Sequence, residues 1–254
     1  MKASVSALLI VFGVLLAPCS GVAEAEGTQP RFAVLVFSKT TGFRHDSIPR
    51  GIAAIKALGA DHGFAVDGTE DASRFTDAEL ARRKVVVFLN TTGDVLDDIQ
   101  KGAFERYIRA GGGFVGIHSA SDTEYQWAWY GRLVGAYFAS HPEIQPATIR
   151  IEDAVHSSTR DLPAVWKRTD EWYNFRSNPR GTAHVLATID ETTYSGGKMG
   201  YDHPIVWCQE IDGGRSWYTA MGHTVESYAE PLFRLHLLGG IESAAGLGCP
   251  AGRH

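Results

Sequence analysis

The 254-residue chain has room for one large domain or two small ones. Its 44% hydrophobic and 21% charged residues suit a soluble globular protein with a full-sized core. A net charge of -5 and the lack of any Lys/Arg run exclude a nucleic-acid or anionic-membrane surface.

Residues 1–25 read as a signal peptide. Lys2 gives a positive start, "ALLIVFGVLLA" an apolar core, and Ala23-Glu24-Ala25 the small-x-small cleavage form. The apolar run is short for a membrane span. A lipoprotein anchor on Cys19 ranks second, because Pro18 precedes that cysteine. The mature protein is therefore expected to be secreted or extracytoplasmic, with no membrane attachment after cleavage. A linker (26–30), a domain (31–244) and a C-terminal tail (245–254) follow. Cleavage would leave Cys208 and Cys249, for which one disulfide is expected, with a buried thiol and a frayed tail as the alternative.

"RFAVLVF" is a strand buried on both faces, and "SIPRGIAAIKALGADHG" a helix with Ser47 as its N-cap and Ile52, Ile55 and Leu58 at helical spacing. "FAVDGTED" is a second strand, and "FTDAELARR" a helix capped by Thr76 with Glu79 at the capping-box position. "KVVVFLN" is a third strand; in the next helix Ile99, Phe104, Tyr107 and Ile108 mark the apolar face before a glycine run stops it. "GFVGIH" is the fourth strand. This rhythm means βαβ units and a parallel sheet, whose ligands bind beyond the carboxyl ends of the strands. "PATIRIED", "HVLATID", "HPIVWCQEI" and "RSWYTAMG" are further strands, the last two joined by an Asp-Gly-Gly hairpin turn, and "SYAEPLFRLHLLGGIESAAG" a closing helix. The expected fold is one α/β domain with an antiparallel extension.

Four polar clusters follow or interrupt the strands. Arg44, His45 and Asp46 in "TTGFRHDS" either contact a ligand or cap a helix. His118, with Ser119, Ser121 and Asp122, ends the fourth strand and is read equally as a structural or a functional residue. "GIHSAS" lacks the small-x-Ser-x-small elbow of serine hydrolases. His141 and Glu143 flank Pro142, where an exposed loop is favoured, and His223 and Glu226 are either an acid–base pair or a helix N-terminus. "TDEWYNF" adds Glu171 and two aromatics, and "MGYDHPIVW" adds Asp202 and His203. No tight metal-ligand spacing and no phosphate-binding glycine loop occurs.

In this order, "VLVFSKTTGFRHDSI", "GGGFVGIHSASDT", "LVGAYFASHPEIQPATIRIED", "TDEWYNF" and "HPIVWCQEIDGGRSWYTAMGHTVESY" resemble the ThuA-like, trehalose-utilisation family over nearly all of the mature chain. The resemblance implies a flavodoxin-like core similar to class I glutamine amidotransferases. His118 then stands at the elbow where those relatives carry a nucleophilic cysteine, so glutaminase chemistry is not expected. It also implies a small carbohydrate ligand. The resulting expectation is a secreted enzyme, a hydrolase or lyase, acting on a glycoside or an oxidised keto sugar. Catalytic roles fall to His118, His223, Glu226 and Asp122. Substrate contacts fall to Arg44, His45, Ser119, His141, Glu171 and Trp172. A divalent metal such as zinc is an option as cofactor, with the metal, its ligands and the oligomeric state left open. A non-catalytic carbohydrate-binding module or an interaction domain is the alternative.

Overall fold

The computed structural model describes residues 1, 3, 4 and 29–247; the expected signal peptide, Cys19 and Cys249 lie outside the described residues. Five parallel strands form the centre of the molecule: β1 (Ala33–Phe37), β2 (Ala65–Thr69), β3 (Val85–Leu89), β4 (Gly113–Ile117) and β11 (Gly214–Thr219). Every residue of β3 and β4 is buried, as their unbroken apolar runs dictate for strands covered on both faces. Four antiparallel strands continue the sheet: β6 (Gln145–Ile151), β7 (Val165–Asp170), β9 (His184–Asp190) and β10 (Pro204–Ile211). The order is β2-β1-β3-β4-β11-β10-β9-β6-β7. A separate pair joins β5 (Phe138–Ser140) to β8 (Asn174–Phe175).

Each antiparallel step reverses the chain, so β7, four steps from β11, runs in the same direction as the parallel strands. Its carboxyl end therefore opens on the same rim as those of β1, β3, β4 and β11. The turn between β10 and β11 is the expected hairpin: Asp212 and Gly213 both have positive φ, 50° and 92°, as a type I′ turn requires.

Helices cover both faces. From α3 (Asp98–Arg109), Phe104 packs 5.4 Å from Phe88 and 6.2 Å from Phe114, and Tyr130 of α4 (Ala128–Val134) meets the same two rings, tilted to the first and edge-on to the second. On the opposite face α5 (Pro231–Ala244) lies on β4 and β11 and touches α1 (Ile48–His62). Gly240 makes this approach close: a Cβ there would sit 2.6 Å from the Trp217 ring. Among the described residues, no helix is long and apolar enough to cross a membrane.

Several local expectations are corrected. Ser47 precedes α1, but its side chain makes no capping bond; Oγ donates instead to Gly222 O, 3.3 Å away, and accepts from Asn90 Nδ2. Thr76 does cap the four-residue α2 (Asp77–Leu80), whereas the Glu79 carboxylate is drawn away by Arg74 at 2.8 Å. Ile99 is 82% exposed and does not belong to the apolar face of α3. The closing segment begins as a 3₁₀ turn, Glu226–Ala229, and becomes α-helical only at Pro231. Cys208 is a buried free thiol in β10, and its expected partner Cys249 lies outside the described residues.

Candidate functional site

Four chain segments meet at the carboxyl rim. The loop after β1 carries His45, the end of β4 carries His118, the end of β7 carries Glu171, and the loop after β11 carries His223. His118 is the first residue of the 3₁₀ turn that replaces β4, with φ of 51°. A non-glycine residue in this left-handed region stores strain of about 1–3 kcal/mol, which the surroundings must offset. Here Tyr218 Oη donates to His118 O at 2.7 Å, and Ser121 Oγ, 3.2 Å from the same oxygen, donates to Tyr218 Oη at 2.9 Å. The imidazole is fixed as firmly. Its Nδ1 lies 2.8 Å from Ala220 O, a group that only accepts, so Nδ1 carries a proton; in the neutral imidazole Nε2 then presents its lone pair.

Asp170, at the end of β7, brings the remaining groups to that lone pair. This wholly buried carboxylate accepts from Gly222 N at 2.9 Å, His223 N at 3.1 Å and Ser227 Oγ at 3.0 Å, with Arg168 3.3 Å away. The loop after β11 is thus tied to the end of β7, and His223 is laid beside Glu171. His118 Nε2 and His223 Nδ1 are 3.1 Å apart; Glu171 Oε2 is 3.4 Å from the first and 3.1 Å from the second. The other oxygen, Oε1, lies 2.9 Å from His141 Nδ1. His45 completes the cluster, its ring 4.9 Å from both His118 and His223, with Ser119 Oγ 3.4 Å from its Nδ1.

Burial pushes His45 down to about 2, helped by repulsion from His118 and His223, so it is neutral and free to ligate. Burial alone would raise Glu171, but the His118 and His223 imidazoles beside it outweigh that and hold the carboxylate ionised. Burial likewise opposes charge on His223, and the Glu171 carboxylate reverses that and raises it. The centre is a carboxylate among imidazoles that must share a proton or a cation.

The donor atoms of His45, His118, Glu171 and His223 all lie within 4.8 Å of one another. Tetrahedral bonds of about 2.0–2.1 Å would set neighbouring donors about 3.3–3.4 Å apart, close to the three spacings here. Three imidazoles and one carboxylate suit zinc or a similar borderline divalent ion. The shell around them is also built: Ala220 O fixes the His118 tautomer, and His141 Nδ1, which donates to Pro142 O, lies against the free oxygen of Glu171.

The cluster floors a pocket of about 170 Å³ lined by Phe43, His45, Asp122, Phe138, His141, Glu171, Tyr173 and His223. Burial raises Asp122, although Tyr125 Oη donates to it at 2.6 Å. Of the residues singled out in the sequence, His45, His118, Ser119, Asp122, His141, Glu171 and His223 converge here. Others are placed elsewhere. Arg44 makes a two-pronged pair with Glu70 at 2.7 and 3.0 Å, and Glu226 is exposed on its 3₁₀ turn. Trp172 is wholly buried, its indole donating to Gln145 O at 2.8 Å. Asp202 pairs with Arg180, and His203 donates from Nε2 to Tyr173 O, 2.8 Å away.

Tyr173 is the aromatic that sequence reasoning passed over in favour of Trp172; its ring centre lies 4.1 Å from that of His118. The signal was alternation: in extended chain Glu171 and Tyr173 share a side, and Trp172 points away. Asp170 was also missed, since a carboxylate that only positions others has no motif.

Residues 33–244 match the ThuA family, described as trehalose utilisation. Among solved structures, a ThuA-like protein from Bacteroides uniformis is 25% identical, with a TM-score of 0.72 over 87% of this chain and 94% of that one. A second, from Parabacteroides merdae, is 21% identical with a TM-score of 0.73, covering 88% and 93%. A β-galactosidase from Bacillus circulans sp. alkalophilus shares the fold over 84% of this chain but 31% of its own, at 15% identity and a TM-score of 0.56. No curated protein matches the chain. The match over most of its length, on a flavodoxin-like sheet with an antiparallel extension, places it: the chain belongs to the ThuA family.

Proposed function

We propose that this protein is a carbohydrate-directed enzyme whose His45, His118, Glu171 and His223 hold a divalent cation, zinc foremost, at the floor of the substrate pocket. The observation that carries this is the trio of short spacings, 3.1, 3.1 and 3.4 Å, among one lone pair fixed by its tautomer, one carboxylate and one further imidazole. A bound cation would act as a Lewis acid on a sugar carbonyl or hydroxyl, or lower the pKa of a water. The reaction class is cleavage of a glycoside or an oxidised keto sugar, by hydrolysis or elimination. Asp122, raised by burial and placed on the pocket wall, is suited to hand a proton to a leaving oxygen. Glu226 lies outside the cluster, and Glu171 takes its expected place beside His223.

Thiolate chemistry has no group to perform it at the elbow. His118 stands there, and Cys208 is in β10, where burial pushes its thiol up to about 12. Glutaminase activity is therefore not part of the proposal. Secretion after removal of residues 1–25 is, and it places the substrate among extracytoplasmic sugars. The test is an assay of wild type and His118→Ala on glycosides and 3-keto-glycosides, with and without chelator. Turnover lost on chelation and in the variant supports the reading. Sugar binding equal in both proteins, with turnover in neither, would make the chain a binding module.

A further inference from the structure

The pocket mouth carries a feature that the acid–base and metal chemistry does not use. Phe43 is 66% exposed, yet it is not a loose surface residue. Its loop is pinned to the segment after β3: Thr41 N donates to Thr92 O at 2.9 Å, and Thr92 Oγ1 donates to Phe43 O at 2.8 Å. The ring stands edge-to-face against His45, 4.9 Å between centres, and lines the pocket. Single exposed apolar rings are common; what sets Phe43 apart is its pinned loop and its place on the pocket wall against His45. The remaining walls are Phe138 and Tyr173, whose rings lie 4.3 Å apart, with His141 and Asp122 as the polar groups beside them. A cavity of about 170 Å³ is smaller than the roughly 300–1,000 Å³ typical of drug-sized ligands. Such a volume suits one sugar ring, with the open side toward solvent.

We infer that Phe43 is the stacking platform of a single-ring subsite, so that the pocket takes only the terminal sugar of its substrate and leaves the rest outside. This rests on the carbohydrate-directed reading above. The apolar face of the ring would lie on Phe43, and its hydroxyls would meet Asp122 and the floor of the pocket.

The experiment is saturation-transfer NMR and calorimetry with methyl glucosides, methyl galactosides, maltose and lactose. Wild type, Phe43→Ala and Phe43→Trp are compared, and zinc uptake is measured on the same samples. Saturation should reach one ring of a disaccharide far more than the other. Phe43→Ala should bind about tenfold more weakly with unchanged zinc affinity, and Phe43→Trp should restore binding. Equal saturation of both rings, equal affinity in Phe43→Ala, or no binding of any of these sugars by wild type would overturn the inference. Phe43-dependent sugar binding without zinc uptake would uphold it while overturning the metal-centred reading.

Discussion

His118 and His223, 105 residues apart in the chain, hold Nε2 and Nδ1 at 3.1 Å, and Glu171 Oε2 bridges the two. With its Nδ1 proton donated to Ala220 O, the neutral His118 imidazole offers a lone pair to this junction. A proton on His223 or a shared cation must sit there, and the cation satisfies all the donors at once. Zinc at about 100 times its Kd should then stabilise the fold by about 2.7 kcal/mol, a rise of roughly 5–10 °C in Tm for a domain of this size. Thermal melts with and without zinc check this, and Glu171→Gln should show a much smaller rise.

Tyr218 lies beneath this junction and bonds to the His118 backbone, not to any of the four donor atoms. Its hydroxyl donates to His118 O and pairs with Ser121 Oγ at 2.9 Å. Tyr218→Phe should weaken zinc binding about tenfold and cost about 1–3 kcal/mol of stability. Zinc titration shows whether the affinity moves, separately from the urea midpoint; unchanged affinity would reduce Tyr218 to a core residue.

Asp170 ties β7 to the loop after β11, and Arg168 is wedged between the Trp166 and Phe233 rings beside it. Asp170→Asn removes the charge that pairs with a buried guanidinium, which should cost about 3–5 kcal/mol in urea unfolding. Because the same carboxylate holds the Gly222 and His223 amides, zinc affinity should fall with it.

Part of the acid lability, beside that of the buried His45 and His203, should come from two histidines packed at α5. Burial pushes His236 down to about 3 and His156 down to about 4; His236 donates to Ser158 O, and His156 bonds to Ser158 Oγ and Ser243 Oγ. Below the ordinary value of 6.5 the unfolded chain binds these protons and the folded one does not. Their stabilisation is therefore complete above pH 6.5 and is lost as pH falls toward 4, by up to about 1.4 kcal/mol per unit for each histidine. Urea midpoints from pH 7 to 5 should fall less steeply in His236→Asn; identical slopes would contradict the assignment.

The parallel half of the sheet was legible because β1, β3 and β4 are apolar runs bounded by turns, and the hairpin before β11 because Asp-Gly-Gly supplies positive φ. β7 was invisible for a physical reason. Its inward face is Trp166, Arg168 and Asp170, so two of three buried residues are charged and the alternation never reads as hydrophobic. The site inherits the same blindness. Glu171 lies just past that unread strand, so sequence reasoning paired His223 with the nearby Glu226, which solvent claims. His118 was legible as a strand-end residue; its left-handed backbone and its tautomer come from Tyr218 and Ala220, neighbours that only the closed sheet supplies.

The most direct measurement is the metal content of purified wild type beside the His118→Ala, His223→Ala double variant, by elemental analysis after equilibration with zinc. One tightly held zinc per chain in wild type and none in the variant, with both proteins folded by circular dichroism, is the predicted result. Wild type that retains no stoichiometric divalent cation, or a variant that retains as much, would contradict the account.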